Sequence, residues 1–161
     1  MAHSIDSMFL RFGAAAMVLC GAAGSAGAQL VTFPGTVIKT CVLTPAVGAL
    51  ALSTAGTELG TEQSGGLAST MTVVATGGAA TVTFAAPTMP TKPGAYSGTP
   101  TVSLKFSAAS GASQAYTSAQ SSYTGSGITL TDTVTINAKA VDANGFPSGA
   151  YAVTTTATCS Q

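Results

Sequence analysis

The sequence predicts an all-β protein whose strands form an antiparallel β-sandwich, and three observations support that prediction. Apolar and polar residues alternate over several short segments, which is the period of a half-buried strand. Turn signals built from Gly, Pro and Asn-Gly separate these segments. No convincing amphipathic helix occurs between them. Six to seven strands fit this pattern.

The N-terminal residues 1–28 are predicted to be a cleaved signal peptide. Arg11 precedes an apolar run, Phe12–Cys20, and the small residues Ala26-Gly27-Ala28 then provide a cleavage site. The run is shorter than the roughly 20 residues that cross a bilayer, so a retained membrane helix is the weaker alternative. We therefore expect an exported protein in the periplasm, at the cell surface or outside the cell, with no membrane span after cleavage. Translation from Met8 rather than Met1 stays open.

Residues 29–161 are expected to form a single β-sandwich domain. The whole chain has 5 Lys and Arg, 5 Asp and Glu, and 6% charged residues, whereas a typical soluble domain has about 25%. Such a weakly charged chain offers no basic surface for nucleic acid. Residues 29–161 contain 26 threonines and no histidine, because His3 falls in the signal peptide.

Cys41 and Cys159 are the cysteines that remain after cleavage. An even number in an exported chain predicts a disulfide bond, with a pair of free thiols as the alternative. The bond would close most of the domain, and a loop of about 100 residues stabilises a fold by roughly 4 to 5 kcal/mol.

The first half of the domain contains four predicted strands. Two short ones, Thr36–Leu43 and Val47–Leu52, are separated by Thr44-Pro45, since proline cannot donate a ladder hydrogen bond. Met71–Ala75 and Ala80–Phe84 follow, and the glycines between them predict a hairpin.

The second half contains three clear alternating segments: Thr101–Phe106, Thr133–Val141 and Ala150–Cys159. Asn-Gly, Pro and Gly lie between the last two, which predicts a second hairpin. Gly127–Leu130 is either a separate strand or the start of the next one. The remaining long segments are predicted polar loops: 53–67, 85–100 and 107–126.

The residues 29–161 lack the usual catalytic groups. Serine and cysteine nucleophile sites need an imidazole, and zinc sites most often use one. Glu58 and Glu62 lie in a Gly-rich segment that would leave both in solvent, so they do not predict a glycosidase pair. We therefore predict a non-enzymatic protein without cofactor or metal. Tyr96, Tyr116 and Tyr123, in or near long loops, are candidates for a sugar- or protein-binding patch.

The early Cys41, the Thr- and Val-rich strands and the closing segment from Gly149-Ala150-Tyr151 to Cys159 resemble the bacterial pilin and spore-coat-U-like group of secreted subunits. The resemblance implies an incomplete immunoglobulin-like, pilin-like sandwich. A neighbouring subunit would complete it by adding a strand from its N-terminal extension. Here the extension begins at Gln29, and the apolar residues of the donor strand would be Leu30, Val31 and Phe33.

Two functions follow from these expectations. The first is a structural pilin-like or surface-coat subunit that associates with itself or with other envelope subunits, with a periplasmic chaperone as a further partner. The alternative is a monomeric periplasmic or secreted binding module that contacts a sugar or protein with its long loops.

Overall fold

The computed structural model describes residues 32–161, and these residues form an all-β structure. Every strand pair is antiparallel. The predicted all-β, antiparallel fold is therefore confirmed for this part of the chain. The described part contains twelve strands: β1 (Thr40–Pro45), β2 (Ala51–Leu52), β3 (Glu58–Gly60), β4 (Ser69–Thr76), β5 (Ala80–Phe84), β6 (Thr88–Thr91), β7 (Thr101–Ala108), β8 (Ser113–Thr117), β9 (Ser121–Gly125), β10 (Thr129–Val141), β11 (Ala152–Thr154) and β12 (Ala157–Ser160).

The predicted signal peptide, residues 1–28, lies outside the described residues. Among residues 32–161, no helix has the length and apolar character needed to cross a membrane. Thr36–Gln161 form one compact unit. Thr32–Gly35 have no regular secondary structure.

The largest sheet is organised around the long strand β10. Its first part, Thr129–Ile136, pairs with β4, and its later part, Val134–Val141, pairs with β7. Beyond these neighbours, β1 pairs with β4 and β8 pairs with β7. The end of β10 pairs with β3 on the same edge as β4, and β3 pairs in turn with β2. β10 reaches all three of its partners because it is 13 residues long and pairs along both of its backbone edges.

Two smaller sheets complete the structure. β5 is the centre of a three-stranded sheet in the order β12-β5-β9, and β11 pairs with β6. Inward-facing side chains of the large and the three-stranded sheets share one core, which we call the main core. Its buried members are Met71, Val73, Ala75, Ala80, Val82, Phe84, Leu104, Phe106, Ala108, Tyr123, Leu130, Val134 and Ile136.

A smaller apolar group, which we call the tyrosine cluster, lies apart from the main core. Its buried members are Leu59, Tyr96, Ala140 and Phe146, and Tyr151 packs against them. Tyr96 stacks on Phe146 with 5.5 Å between ring centroids, and Tyr151 meets both rings edge-on. Such ring geometries are the favourable ones for aromatic pairs.

The predicted count of six to seven strands is wrong, because three of the predicted loops contain strands. The segment 53–67 contains β3, 85–100 contains β6, and 107–126 contains β8 and β9. These strands are rich in Ser, Thr, Gln and Gly, and the alternation of large apolar residues that marks a strand is weak in them.

Both predicted hairpins are also wrong. β4 and β5 belong to different sheets, so the glycines after Thr76 connect two sheets rather than two paired strands. β10 pairs with neither β11 nor β12. The final segment breaks at Thr155-Thr156, and its two halves pair with β6 and β5. A turn signal shows that the chain reverses, but pairing depends on which sheet each strand joins.

Candidate functional site

The main feature of the surface is a seam between two strands that each have one free edge. Within the described residues, β1 pairs only with β4, and β12 pairs only with β5. A free edge leaves alternate backbone N–H and C=O groups without a strand partner. The seam therefore offers hydrogen-bonding groups on both sides.

The predicted disulfide bond closes one end of this seam. Cys41 of β1 is bonded to Cys159 of β12, with 6.1 Å between their Cα atoms. Both cysteines are half-buried against the main core. The disulfide prediction is confirmed, and the bond links the edge of the large sheet to the edge of the three-stranded sheet.

The other end of the seam is open and forms an apolar groove of about 850 Å³. One wall is the segment from Leu43 to Leu50, and the other is the segment from Tyr151 to Ala157. Its floor consists of main-core side chains: Met71, Phe84, Leu104 and Ile136. These four side chains are at most 9% exposed, so the groove borders the main core without uncovering it.

Small residues make the groove wide. Ala46, Gly48 and Ala49 line one wall, and Ala152 lines the other. At Gly48 a Cβ atom would come 2.7 Å from the carbonyl oxygen of Leu67 and 2.8 Å from the backbone nitrogen of Ser69. Only glycine lets this wall approach the backbone of Leu67–Ser69 so closely.

The predicted donor residues are placed only in part. Leu30 and Val31 lie outside the described residues. Phe33 is 89% exposed and is in no strand. The phenyl ring is therefore available to a partner.

The three tyrosines of the predicted loop patch lie in three separate places. Tyr96 is buried in the tyrosine cluster and Tyr123 is buried in the main core. Tyr116, on β8, is half-buried on the outer side of the large sheet. Since only Tyr116 has an accessible ring, the three do not form one surface.

Tyr96 is held by a buried carboxylate. Its hydroxyl donates a 2.5 Å hydrogen bond to Asp142 Oδ2, and the backbone N–H of Asn144 donates to Oδ1. These two bonds, that of Tyr96 first, lower the pKa of Asp142. Burial, together with the carboxylate, raises the pKa of Tyr96. A Cβ at Gly98 would come 2.7 Å from the Tyr96 ring, so glycine is required beside the pair.

Tyr123 contrasts with Tyr96, because its buried hydroxyl has no hydrogen-bond partner among residues 32–161. Burial first, and then the charge of Asp132, raise the pKa of Tyr123 to about 12. Asp132 is itself satisfied by Ser110, whose backbone N–H and hydroxyl donate to its two oxygens.

Tyr116 lies in a charged group that the sequence did not reveal. Its hydroxyl donates to Glu62 Oε2 at 2.9 Å, and Lys105 Nζ lies 2.6 Å from Glu62 Oε1. Lys139 Nζ lies 4.5 Å from the centre of the Tyr116 ring. The hydrogen bonds from Lys105 and Tyr116 lower the pKa of Glu62. The residues come from β7, β8, β10 and the segment after β3, so no local spacing indicates the group.

Glu58 and Glu62 have separate partners. Glu58 Oε1 accepts a hydrogen bond from Gln63, whereas Glu62 binds Lys105 and Tyr116. In the part of the chain that the structure describes, no three His, Cys, Asp or Glu side chains come together in a way that would hold a metal ion. Among the arrangements described, the groove is therefore the one best suited to accept a partner.

Comparison with protein-family models, with curated proteins and with solved structures finds no match.

Proposed function

We propose that the protein is an exported structural subunit with an immunoglobulin-like, pilin-like β-sandwich fold that assembles by strand addition. The observation that carries the proposal is the open groove between the segments Leu43–Leu50 and Tyr151–Ala157, at the end of the seam that the disulfide bond leaves open. An extended segment in this groove would lie beside the main core and cover the exposed wall residues Pro45, Ala46 and Val47. Its backbone would pair with the free strand edges, which is how a sheet accepts an added strand.

The position of the disulfide bond supports a donor strand from a second copy. A strand between two others needs them about 9.5 Å apart, twice the usual strand spacing, but Cys41 and Cys159 are 6.1 Å apart. No strand fits between β1 and β12 at that end. The N-terminal extension joins β1 at Thr40, beside this closed end, so it cannot simply fold back into its own seam. We therefore assign the donor to a second copy.

The segment that begins at Gln29 would be the donor, with Leu30, Val31 and Phe33 supplying its apolar side chains. It is short, and Pro34-Gly35 would end the added strand because proline cannot donate to a ladder. A periplasmic chaperone would protect the groove before assembly, and other envelope subunits are partners of the same kind.

The loop-binding alternative has less support. It needs an exposed aromatic surface, but Tyr96 and Tyr123 are buried, and Tyr116 is a single half-buried ring with Lys105 and Lys139 beside it.

The first experiment measures the size of the full exported chain as a function of concentration. Ala46 is exposed and lines the groove, so Ala46→Trp should block the added strand and leave monomers. Ala115→Trp is the matched control, since Ala115 is exposed on β8 and does not line the groove. Equal assembly of both variants would contradict strand addition.

The second experiment tests the donor. A chain that starts at Val37 is melted with and without a peptide of residues 29–40, and the peptide should raise its melting temperature sharply. A control peptide with serine in place of Leu30, Val31 and Phe33 should have little effect. If the shortened chain is as stable as the longer one and the peptide changes nothing, the fold is complete by itself.

A further inference from the structure

The outer side of the large sheet carries a regular array of threonines that the proposed assembly does not use. The array, which we call the threonine face, consists of outward positions on three adjacent strands, β1, β4 and β10. Its members are Thr40, Val42, Thr44, Thr70, Thr72, Val74, Thr76, Thr129, Thr131, Thr133 and Thr135.

The strand register arranges these residues in rows. Thr40, Thr76 and Thr129 are direct cross-strand partners and form the first row. The next rows are Val42-Val74-Thr131, then Thr44-Thr72-Thr133, and Thr70-Thr135 ends the array. Nine of the eleven members are exposed, and Thr76 and Thr135 are half-buried.

The array has two fixed repeats. The Cα atoms of neighbours in a row are about 4.5 to 5.5 Å apart, and successive outward residues on one strand are about 6.4 to 6.8 Å apart. Threonine and valine are stiff at χ1, so their methyl and hydroxyl groups keep nearly constant positions over this net. Val42 and Val74 preserve the shape of the array at the two positions that lack a hydroxyl.

No charged side chain belongs to the threonine face. Asp132 lies between Thr131 and Thr133 in sequence, but alternation turns it inward, where it is 2% exposed. The other end of the same sheet differs, since Lys105 and Lys139 flank Tyr116 there. Lys39 lies at the margin of the array, beside Gly77 and Gly78, and is not among its members. Charged groups hold their own hydration water, so a face built only from threonine and valine favours a neutral, ordered partner.

We propose that the threonine face binds ice. The prism faces of hexagonal ice are a neutral net of water molecules with two rectangular repeats of the same order as those of the array. Hydroxyl groups on this net can replace lattice waters as donors and acceptors, and the methyl groups between them bury apolar area against the crystal. The rigidity of the side chains keeps the entropy cost of ordering them low.

This inference is independent of strand addition, because β1 presents its edge to the groove and its outer side to the threonine face. The test uses the full chain, exported and processed by the host. Ice growth is observed in a nanolitre osmometer, and recrystallisation is followed in frozen solution. We expect faceted crystals and a freezing point below the melting point.

Thr72→Lys and Thr131→Lys place a charge in the middle of the array. Each should abolish the difference between the melting and freezing points. Thr158→Lys is the matched control, because Thr158 is an exposed strand threonine on β12 in another sheet. This variant should keep the difference between the melting and freezing points. Thermal melts monitored by circular dichroism verify that each variant folds.

Three results would overturn the proposal. The first is that ice grows in a solution of the folded wild-type protein just as it grows in buffer. The second is that Thr158→Lys loses the effect on ice growth to the same extent as Thr72→Lys and Thr131→Lys. Conversion of a dimer to a monomer by Thr131→Lys is the third, because a second copy would then cover the face.

Discussion

The main core and the tyrosine cluster are stabilised in different ways. The main core has thirteen buried residues, contributed by two sheets, and a disulfide bond beside it. The tyrosine cluster has four buried residues and depends on ring contacts and on the bond from Tyr96 to Asp142. A small domain with few large apolar residues is therefore stabilised by a covalent bond in one region and by a hydrogen-bonded buried carboxylate in another.

The largest expected effect is the loss of the disulfide bond. Cys41→Ser with Cys159→Ser releases a closure across 118 residues, and we expect a loss of up to about 4 to 5 kcal/mol in the free energy of unfolding. Denaturant melts of the oxidised protein and the double variant measure it. Reduction of the wild-type protein should reproduce the effect, and a change below about 1 kcal/mol would show that the core holds the two sheets together without the bond.

Removal of a phenyl ring should destabilise the protein more in the main core than in the tyrosine cluster. Phe84 has no exposure and contacts Phe106 in the main core, so Phe84→Ala should cost about 3 to 5 kcal/mol. Phe146→Ala should cost less, because Phe146 lies in the smaller cluster with 8% exposure. Phe33→Ala is the control, with a change within about 0.5 kcal/mol. An equal loss in the free energy of unfolding for Phe84→Ala and Phe146→Ala would contradict this difference between the two regions.

Removal of a tyrosine hydroxyl should have opposite consequences in the two regions. Tyr96→Phe takes the donor from Asp142 and should lower the melting temperature by several degrees, since a buried acceptor left unpaired is costly. Tyr123→Phe removes a buried hydroxyl that has no partner among residues 32–161, and it should leave stability unchanged or raise it. A larger loss at Tyr123 than at Tyr96 would contradict this contrast.

The smallest effect is a dependence on acid. The pKa of Asp142 is lowered in the folded protein, so its stabilisation is present above the ordinary aspartate value of about 3.9. It is lost as the pH falls below that value through the folded pKa. Melting temperatures between pH 7 and pH 3 should fall more steeply for the wild-type protein than for Asp142→Asn. The pKa of Glu62 is lowered as well, so Glu62→Gln is measured in parallel, and parallel curves for all three proteins would exclude Asp142 as the cause.

Local patterns predicted the elements with large alternating side chains. Val134, Ile136 and their neighbours marked β10, and Val82 and Phe84 marked β5, because one face of each strand is buried. β8 and β9 were missed, since Ser113–Thr117 and Ser121–Gly125 are hydroxyl-rich and have few large apolar residues. The two strands are held by pairing to β7 and β5, which the local sequence does not record.

The candidate site was predictable only at its closed end. Cys41 and Cys159 were paired from their number and the expected compartment. The groove was not predictable, because its walls and floor come from at least six separate segments of the chain. The same holds for the threonine face, whose alternation is visible in each strand but whose rows depend on register.

Alternation, composition and cysteine number act within a strand or over the whole chain, so the all-β class, the low charge and the disulfide bond could be predicted from the sequence. Strand pairing, the open end of the seam and the threonines that stand side by side are defined only in the folded chain. These features depend on contacts between distant segments, and such contacts form only where buried area and backbone pairing together outweigh the entropy of bringing the segments together.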